Sequence, residues 1–148
     1  MTATAPRSRT TVDTAPAGPR RAFAVLIGLS ALFVVFQYFT SGEFITDGIS
    51  KASREAWTNL HGYGAYPVMV FALIAAIVAV ARLRAIRGLA LGAAVYFVAT
   101  VVQWLLGHAI STLGMDWLTP LHVVVALVVI ALAVWLSVRT AILRRTAA

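Results

Sequence analysis

The amino-acid sequence predicts an all-α integral membrane protein, a four-helix up-down-up-down bundle, and three observations lead there. Of the 148 residues, 61% are hydrophobic and only 11% charged, whereas a soluble domain carries about a quarter charged residues. Four stretches lack Asp, Glu, Lys and Arg over the roughly 20 residues a helix needs to cross a hydrocarbon core about 30 Å thick. Lipid offers a bare backbone no hydrogen bonds, and four segments are too few to close a barrel, so each stretch must be helical.

The first stretch covers residues 22–42, between Arg21 and Glu43, and the second covers 56–81, between Glu55 and Arg82. The third is 88–115 and the fourth 117–138, with Asp116 between them. Short connections make sequential helices antiparallel neighbours. Residues 1–20 are rich in Thr, Ala, Pro and Arg and nearly free of large apolar side chains, a composition expected of a disordered cytoplasmic tail. The transmembrane domain is expected over 21–140 and a cytoplasmic C-terminal tail over 141–148. A basic region before an apolar run also resembles a secretory signal, with Thr40, Ser41 and Gly42 as small residues at its end. An uncleaved first helix is preferred, because cleavage would leave three spans with the termini on opposite sides.

The formal net charge of +7 is distributed by topology. Arg7, Arg9, Arg20 and Arg21 precede the first span; Arg82, Arg84 and Arg87 lie between the second and third; Arg139, Arg144 and Arg145 follow the fourth. Ten of the twelve basic residues thus fall on one side of a four-span chain, and Lys51 and Arg54 on the other. The positive-inside rule then places both termini in the cytoplasm of a bacterial-type cell, with the chain in its plasma membrane. No basic face or reading motif accompanies the charge, so nucleic acid is not an expected partner; the lipid bilayer is. The chain has no cysteine, which excludes disulfides, thiolate metal sites, iron–sulfur clusters and covalently attached haem.

The connection from Ser41 to about Leu60 is the longest and most polar, and residues 50–59 suit a short interfacial helix anchored by Trp57. Trp104, Trp117 and Tyr38 are further interfacial anchors. Pro67 either begins the regular part of the second helix or kinks it, which decides whether His61, before it, lies on a helix or in a loop. Gly88 and Gly92 form a small-xxx-small pair that would admit another helix, the basis for expecting a homodimer.

No charged residue lies deep in any span, which argues against proton-coupled transport through an intramembrane carboxylate. The three histidines all fall near the outer ends: His61 opens the second span, His108 nears the end of the third, and His122 opens the fourth. Gln37 and Gln103 lie in the outer parts of spans one and three. Spans one and three thus share a Gln and spans two and four share Leu-His, at Leu60-His61 and Leu121-His122, a faint parallel repeat. Spans two and four stand diagonally in a simple bundle, so His61 and His122 could face one another across a planar macrocycle and ligate its iron, with His108 as a third candidate or a hydrogen-bonding neighbour. Each histidine taken singly also suits a purely structural place at the interface, its polar tip reaching water.

Gln103-Trp104-Leu105-Leu106-Gly107, a short loop and Leu121-His122-Val123-Val124-Val125-Ala126 resemble one half of a haem A synthase, whose halves are four-helix bundles. That resemblance implies haem-ligating histidines at His61 and His122. Two departures matter. The acidic residue which that family carries one turn before the first histidine is replaced by Trp57, and only one half-bundle is present, so a two-haem architecture would need dimerisation. Residues 23–136 are also similar to a family of small uncharacterised bacterial four-helix membrane proteins, through Phe36-Gln37, His61, Gln103 and Leu121-His122.

Two function classes follow. One is a b-type haem protein serving electron transfer or haem handling with a membrane redox partner; the other is an accessory subunit without cofactor. A quinone-associated enzyme, with Tyr63, Tyr66 and Trp104 beside the haem, is a third. Reporter fusions after residue 20, near Ser50, near Arg84 and at Ala148 should read inside, outside, inside and inside; a cytoplasmic signal near Ser50 would sink the topology.

Overall fold

A computed structural model describes residues 17–145, and these form four long helices with no strand among the described residues. They are α1 (Ala17–Ile45), α2 (Lys51–Arg82), α3 (Arg87–Leu113) and α4 (Thr119–Arg145), with a short 3₁₀ turn, Asp116–Leu118, before α4. All four are long and apolar enough to span a bilayer. Neighbours run α1–α2–α3–α4 and back from α4 to α1, while neither α1 and α3 nor α2 and α4 pack backbone to backbone. The expected diagonal relation of α2 and α4 therefore holds. We call the end bearing the α1–α2 and α3–α4 connections the histidine end, and the opposite end the arginine end.

The helices outrun the sequence-based spans. Residues 17–20 of the expected N-terminal tail are the first turn of α1, and α4 continues to Arg145, past the expected boundary at 140. The remainder of both expected tails, 1–16 and 146–148, lies outside the described residues. The separate interfacial helix over 50–59 is replaced by the opening turns of α2, a 32-residue helix about 48 Å long that projects well beyond a 30 Å core. Ser50 caps it, its Oγ accepting from the Ser53 N–H at 3.1 Å. Pro67 sits inside α2 and neither begins nor ends it, so His61 is helical.

The projecting turns are held by α1. Phe39 meets Trp57 edge to face at 5.8 Å, and Arg54 donates to the carbonyls of Phe44 and Thr46. The last turn of α1 carries no basic residue, so Arg54 supplies from α2 the donors its exposed carbonyls need. At the other connection, Gly114 adopts a left-handed conformation (φ 67°) and Met115 N–H donates to the Ala109 carbonyl at 3.2 Å, which ends α3. The turn between α2 and α3 tucks Leu83 and Ile86 beneath the bundle, both buried and joined by an Ile86 N–H to Leu83 carbonyl bond of 2.8 Å.

Core positions on α3 recur at alternate intervals of four and three: Leu89, Ala93, Tyr96 and Thr100 are buried. Such spacing keeps one stripe facing the bundle axis. On α2 the stripe is small, with Val68, Ala72, Ala75, Ala76 and Ala79 buried, and small residues let membrane helices approach closely. Phe23, Ile27, Ser30 and Val34 line α1, and Val129, Ala133, Leu136 and Thr140 line α4. At mid-bundle Tyr96 reaches across the diagonal to Ser30 (OH to Oγ, 2.8 Å), and Ser30 Oγ donates to the Val68 carbonyl at 2.9 Å. All three residues are buried, so the network ties α1, α2 and α3 with every hydroxyl satisfied.

Burial thins toward the histidine end. Beyond Thr100 on α3 and before Val129 on α4 no side chain is fully buried. The expected dimer face is also divided: a Cβ at Gly88 would meet nothing within 4 Å, whereas one at Gly92 would collide with the Trp135 ring of α4. Gly92 is thus a packing site inside the bundle. Gly92→Leu should destabilise the fold by about 1–3 kcal/mol through overpacking, while Gly88→Leu should leave the unfolding midpoint in detergent unchanged; equal effects at both positions would refute this assignment.

Candidate cofactor site

The core stripes continue to the histidine end and carry polar residues there. On α3 the rhythm that buries Tyr96 and Thr100 goes on to Gln103 and Gly107; on α2 the stripe through Val68 and Gly64 leads back to His61; on α4 the stripe through Val129 leads back to His122. His61 and His122 are half-buried.

His61 is held by the C-terminal part of α1. Its Nδ1 lies 3.1 Å from the Gln37 carbonyl oxygen and 3.0 Å from Thr40 Oγ1, and Thr40 Oγ1 itself donates to the Gln37 carbonyl at 3.0 Å. A carbonyl only accepts, so Nδ1 must carry the proton, shared between the two oxygens, and Nε2 keeps its lone pair. Among the described residues, no side chain or backbone donor meets that Nε2. The Phe44 ring packs edge to face on the imidazole at 5.3 Å and closes it off toward the end of the bundle. Gly64, one turn further along α2, is buried against Gln37 and Phe36; a Cβ there would collide with the Gln37 amide. The absence of a side chain at 64 is what lets α1 carry Gln37 this close.

His122 is held by α3 in a different way. Gln103 Nε2 lies 3.0 Å from His122 Nε2, and an amide nitrogen only donates, so here Nε2 spends its lone pair on the protein. Gly107 lies beneath the same ring: a Cβ at 107 would come to 3.1 Å from Cε1 and 3.7 Å from Nδ1. Three buried polar atoms in this cluster lack a partner, namely Gln37 Nε2, Gln103 Oε1 and His122 Nδ1. Such groups are few in native proteins and mark places where water, an ion or a ligand supplies the missing bond.

His108 is not brought to the pair. It stands one position past Gly107, off the core stripe, where its exposed ring stacks on Trp104 (5.5 Å, 18°) and Nδ1 approaches Thr112 Oγ1 at 3.3 Å. Its expected role as third ligand or hydrogen-bonding neighbour is corrected accordingly: depth along the chain matched, but the helical face did not. Trp104 also touches Tyr66 of α2 at 6.2 Å, so these residues form an aromatic strip on the bundle exterior, and Tyr63 is exposed as well. Thr40, Gly64 and Gly107 were not read from the sequence as parts of the site. Their signal was spacing, Thr40 one turn after Gln37, Gly64 one turn after His61 and Gly107 one turn after Gln103.

Among the described residues, no group of three or more His, Cys, Asp or Glu gathers. Two imidazoles are too few for a structural zinc site, which takes four protein ligands, but suffice for a macrocycle that brings its own equatorial nitrogens. No protein-family model, curated relative or solved structure matches the chain.

Gln37→Leu should raise stability by roughly 1 kcal/mol in protein free of ligand, because a buried, unpartnered amide gives way to an apolar side chain of similar size. A loss of stability of that magnitude would show that the amide has a partner.

Proposed function

We propose that this four-span membrane protein binds one b-type haem at the histidine end, with His61 and His122 as the axial ligands, in the service of electron transfer or haem handling. The observation that carries the reading is the anchoring of His61: Nδ1–H is fixed by the Gln37 carbonyl and Thr40 hydroxyl, which orients the ring and leaves Nε2 as a lone-pair donor. Metal-ligating histidines use their second nitrogen in this manner. Support also comes from the diagonal placement of His122 and from the buried polar atoms without partners around both rings. When bound, a haem supplies one-electron chemistry; the chain's own part is to orient His61, enclose the rings in apolar helices and cover His61 with Phe44.

The charge partition supports a histidine end on the outer face of a bacterial plasma membrane, with both termini cytoplasmic. Electrons would pass to a membrane redox partner or lipid-soluble carrier through the exterior strip of Tyr66 and Trp104. Self-association as a homodimer now rests on Gly88 and on the half-bundle resemblance, since Gly92 is engaged within the bundle.

A second reading has two contacts in its favour. The Gln103 to His122 bond and the His61 anchor also serve as interhelical glue, each worth about 0.6 kcal/mol in a membrane protein, as in an accessory subunit without cofactor. The absorption spectrum of protein purified from membranes separates the two. A Soret band with α and β bands that sharpen on reduction is expected, and His61→Ala should abolish it; purified protein without porphyrin that also fails to take up hemin would leave only the structural role.

A further inference from the structure

The arginine end carries a charge that no described carboxylate answers. Arg20 and Arg21 on α1, Arg82 at the end of α2, Arg84 in the turn after it and Arg139 on α4 stand there, whereas Glu43, Asp47, Glu55 and Asp116 all stand at the histidine end. Among the described residues the one ion pair, Lys51 with Glu55 at 3.7 Å, is at the histidine end too. Arginine is always charged, and its planar fork of donors matches a phosphate.

Register across the α3–α4 seam singles out one of these arginines. The two helices are antiparallel, and Gly92 of α3 faces the Trp135 ring of α4. One turn nearer the arginine end, that register sets Gly88 opposite Arg139. A Cβ on Gly88 would meet nothing within 4 Å, and Arg139 is exposed. From Thr119, where α4 begins, to Arg139 the helix rises about 30 Å, so Arg139 stands one hydrocarbon thickness from the histidine end, at headgroup depth. Trp135 lies one turn inside that boundary, a depth tryptophan favours. It is 44% exposed. With Ile130, Ala131, Val134 and Val138 it lines an open apolar recess of about 520 Å³, which covers two turns of α4 inward from Arg139.

We propose that this seam holds one anionic phospholipid, its phosphate on Arg139 above Gly88 and an acyl chain in the recess beside Trp135. The two parts of the site match the two parts of that molecule, a fixed positive charge at headgroup depth and an apolar recess directly inward of it. Gly88 leaves room beside the guanidinium for the glycerol and phosphate. A zwitterionic lipid brings a cationic group as well, which this end meets with further arginines and no described carboxylate. The site is independent of the histidine pair.

Native mass spectrometry of the full-length protein in mild detergent tests the site, with phosphatidylglycerol and phosphatidylcholine of the same acyl chains as probes. One phosphatidylglycerol per chain should be retained about fivefold over phosphatidylcholine, the discrimination that one arginine near a membrane surface supports. Arg139→Gln should remove that preference, and Gly88→Leu should lower retention several-fold by filling the open space, both with unfolding midpoints unchanged. Arg21→Gln, at an exposed arginine of the same end but on α1, should keep the preference. Equal retention of the two lipids, or equal losses in Arg139→Gln and Arg21→Gln, would overturn the site and leave only a diffuse attraction. Glycerol phosphate at millimolar concentration should not displace the lipid; displacement would show a headgroup contact without the recess and overturn the lipid as occupant. A Gly88→Leu protein that loses a dimer but keeps its phosphatidylglycerol would give the seam to a second copy of the chain, which also overturns the proposal.

Discussion

Hydrocarbon cannot donate or accept a hydrogen bond, and the rest of the structure depends on that fact. Backbone groups answer it by forming four uninterrupted helices, and polar side chains answer it in one of two ways. Thr100 and Ser137 return their hydroxyls to carbonyls of their own helix, Phe97 at 2.7 Å and Ala133 at 2.8 Å, as Thr140 does to Leu136. Ser30 and Tyr96 instead satisfy one another across the diagonal and finish on the Val68 carbonyl. The middle of the bundle is therefore polar in places yet closed, with no hydroxyl left over for a ligand.

Close approach replaces the hydrophobic effect as the force between helices, since lipid tails are as apolar as the side chains they would displace. Alanine fills the buried face of α2, and three glycines make room for specific large neighbours: Gly64 for Gln37 and Phe36, Gly92 for Trp135, Gly107 for His122. Two of these three lie at the histidine end. Glycine there sets how far the rings sit from the adjoining backbone, so packing and the candidate chemistry are decided by the same residues.

Within each hairpin a Gln on the first helix holds a His on the second, and the contacting atoms differ. Gln37 uses its backbone carbonyl and meets Nδ1; Gln103 uses its side-chain amide and meets Nε2. Thr40 reinforces the first contact, whereas the corresponding turn of α3 offers Leu106 and Gly107. A faint sequence repeat thus becomes two histidines held through different nitrogens.

The number of helices, their class and their antiparallel order were legible in the residues because hydropathy over some twenty positions is a local property that any folded form in lipid must respect. The candidate pair, His61 and His122, was legible for a related reason: position along a span gives depth. Facing was harder. His108 matches the pair in depth but stands one residue off the α3 stripe, and only the packed bundle shows that Gly107 turns inward and His108 outward. The continuity of α2 through Pro67, the engagement of Gly92 by Trp135 and the Arg54 cap on α1 likewise rest on contacts between helices, which no spacing along one helix encodes. The sequence by itself determined which residues live in lipid and at what depth. The tertiary structure decided which nitrogen of each histidine meets which neighbour, because that depends on distances of a few ångströms between helices that are far apart in the chain.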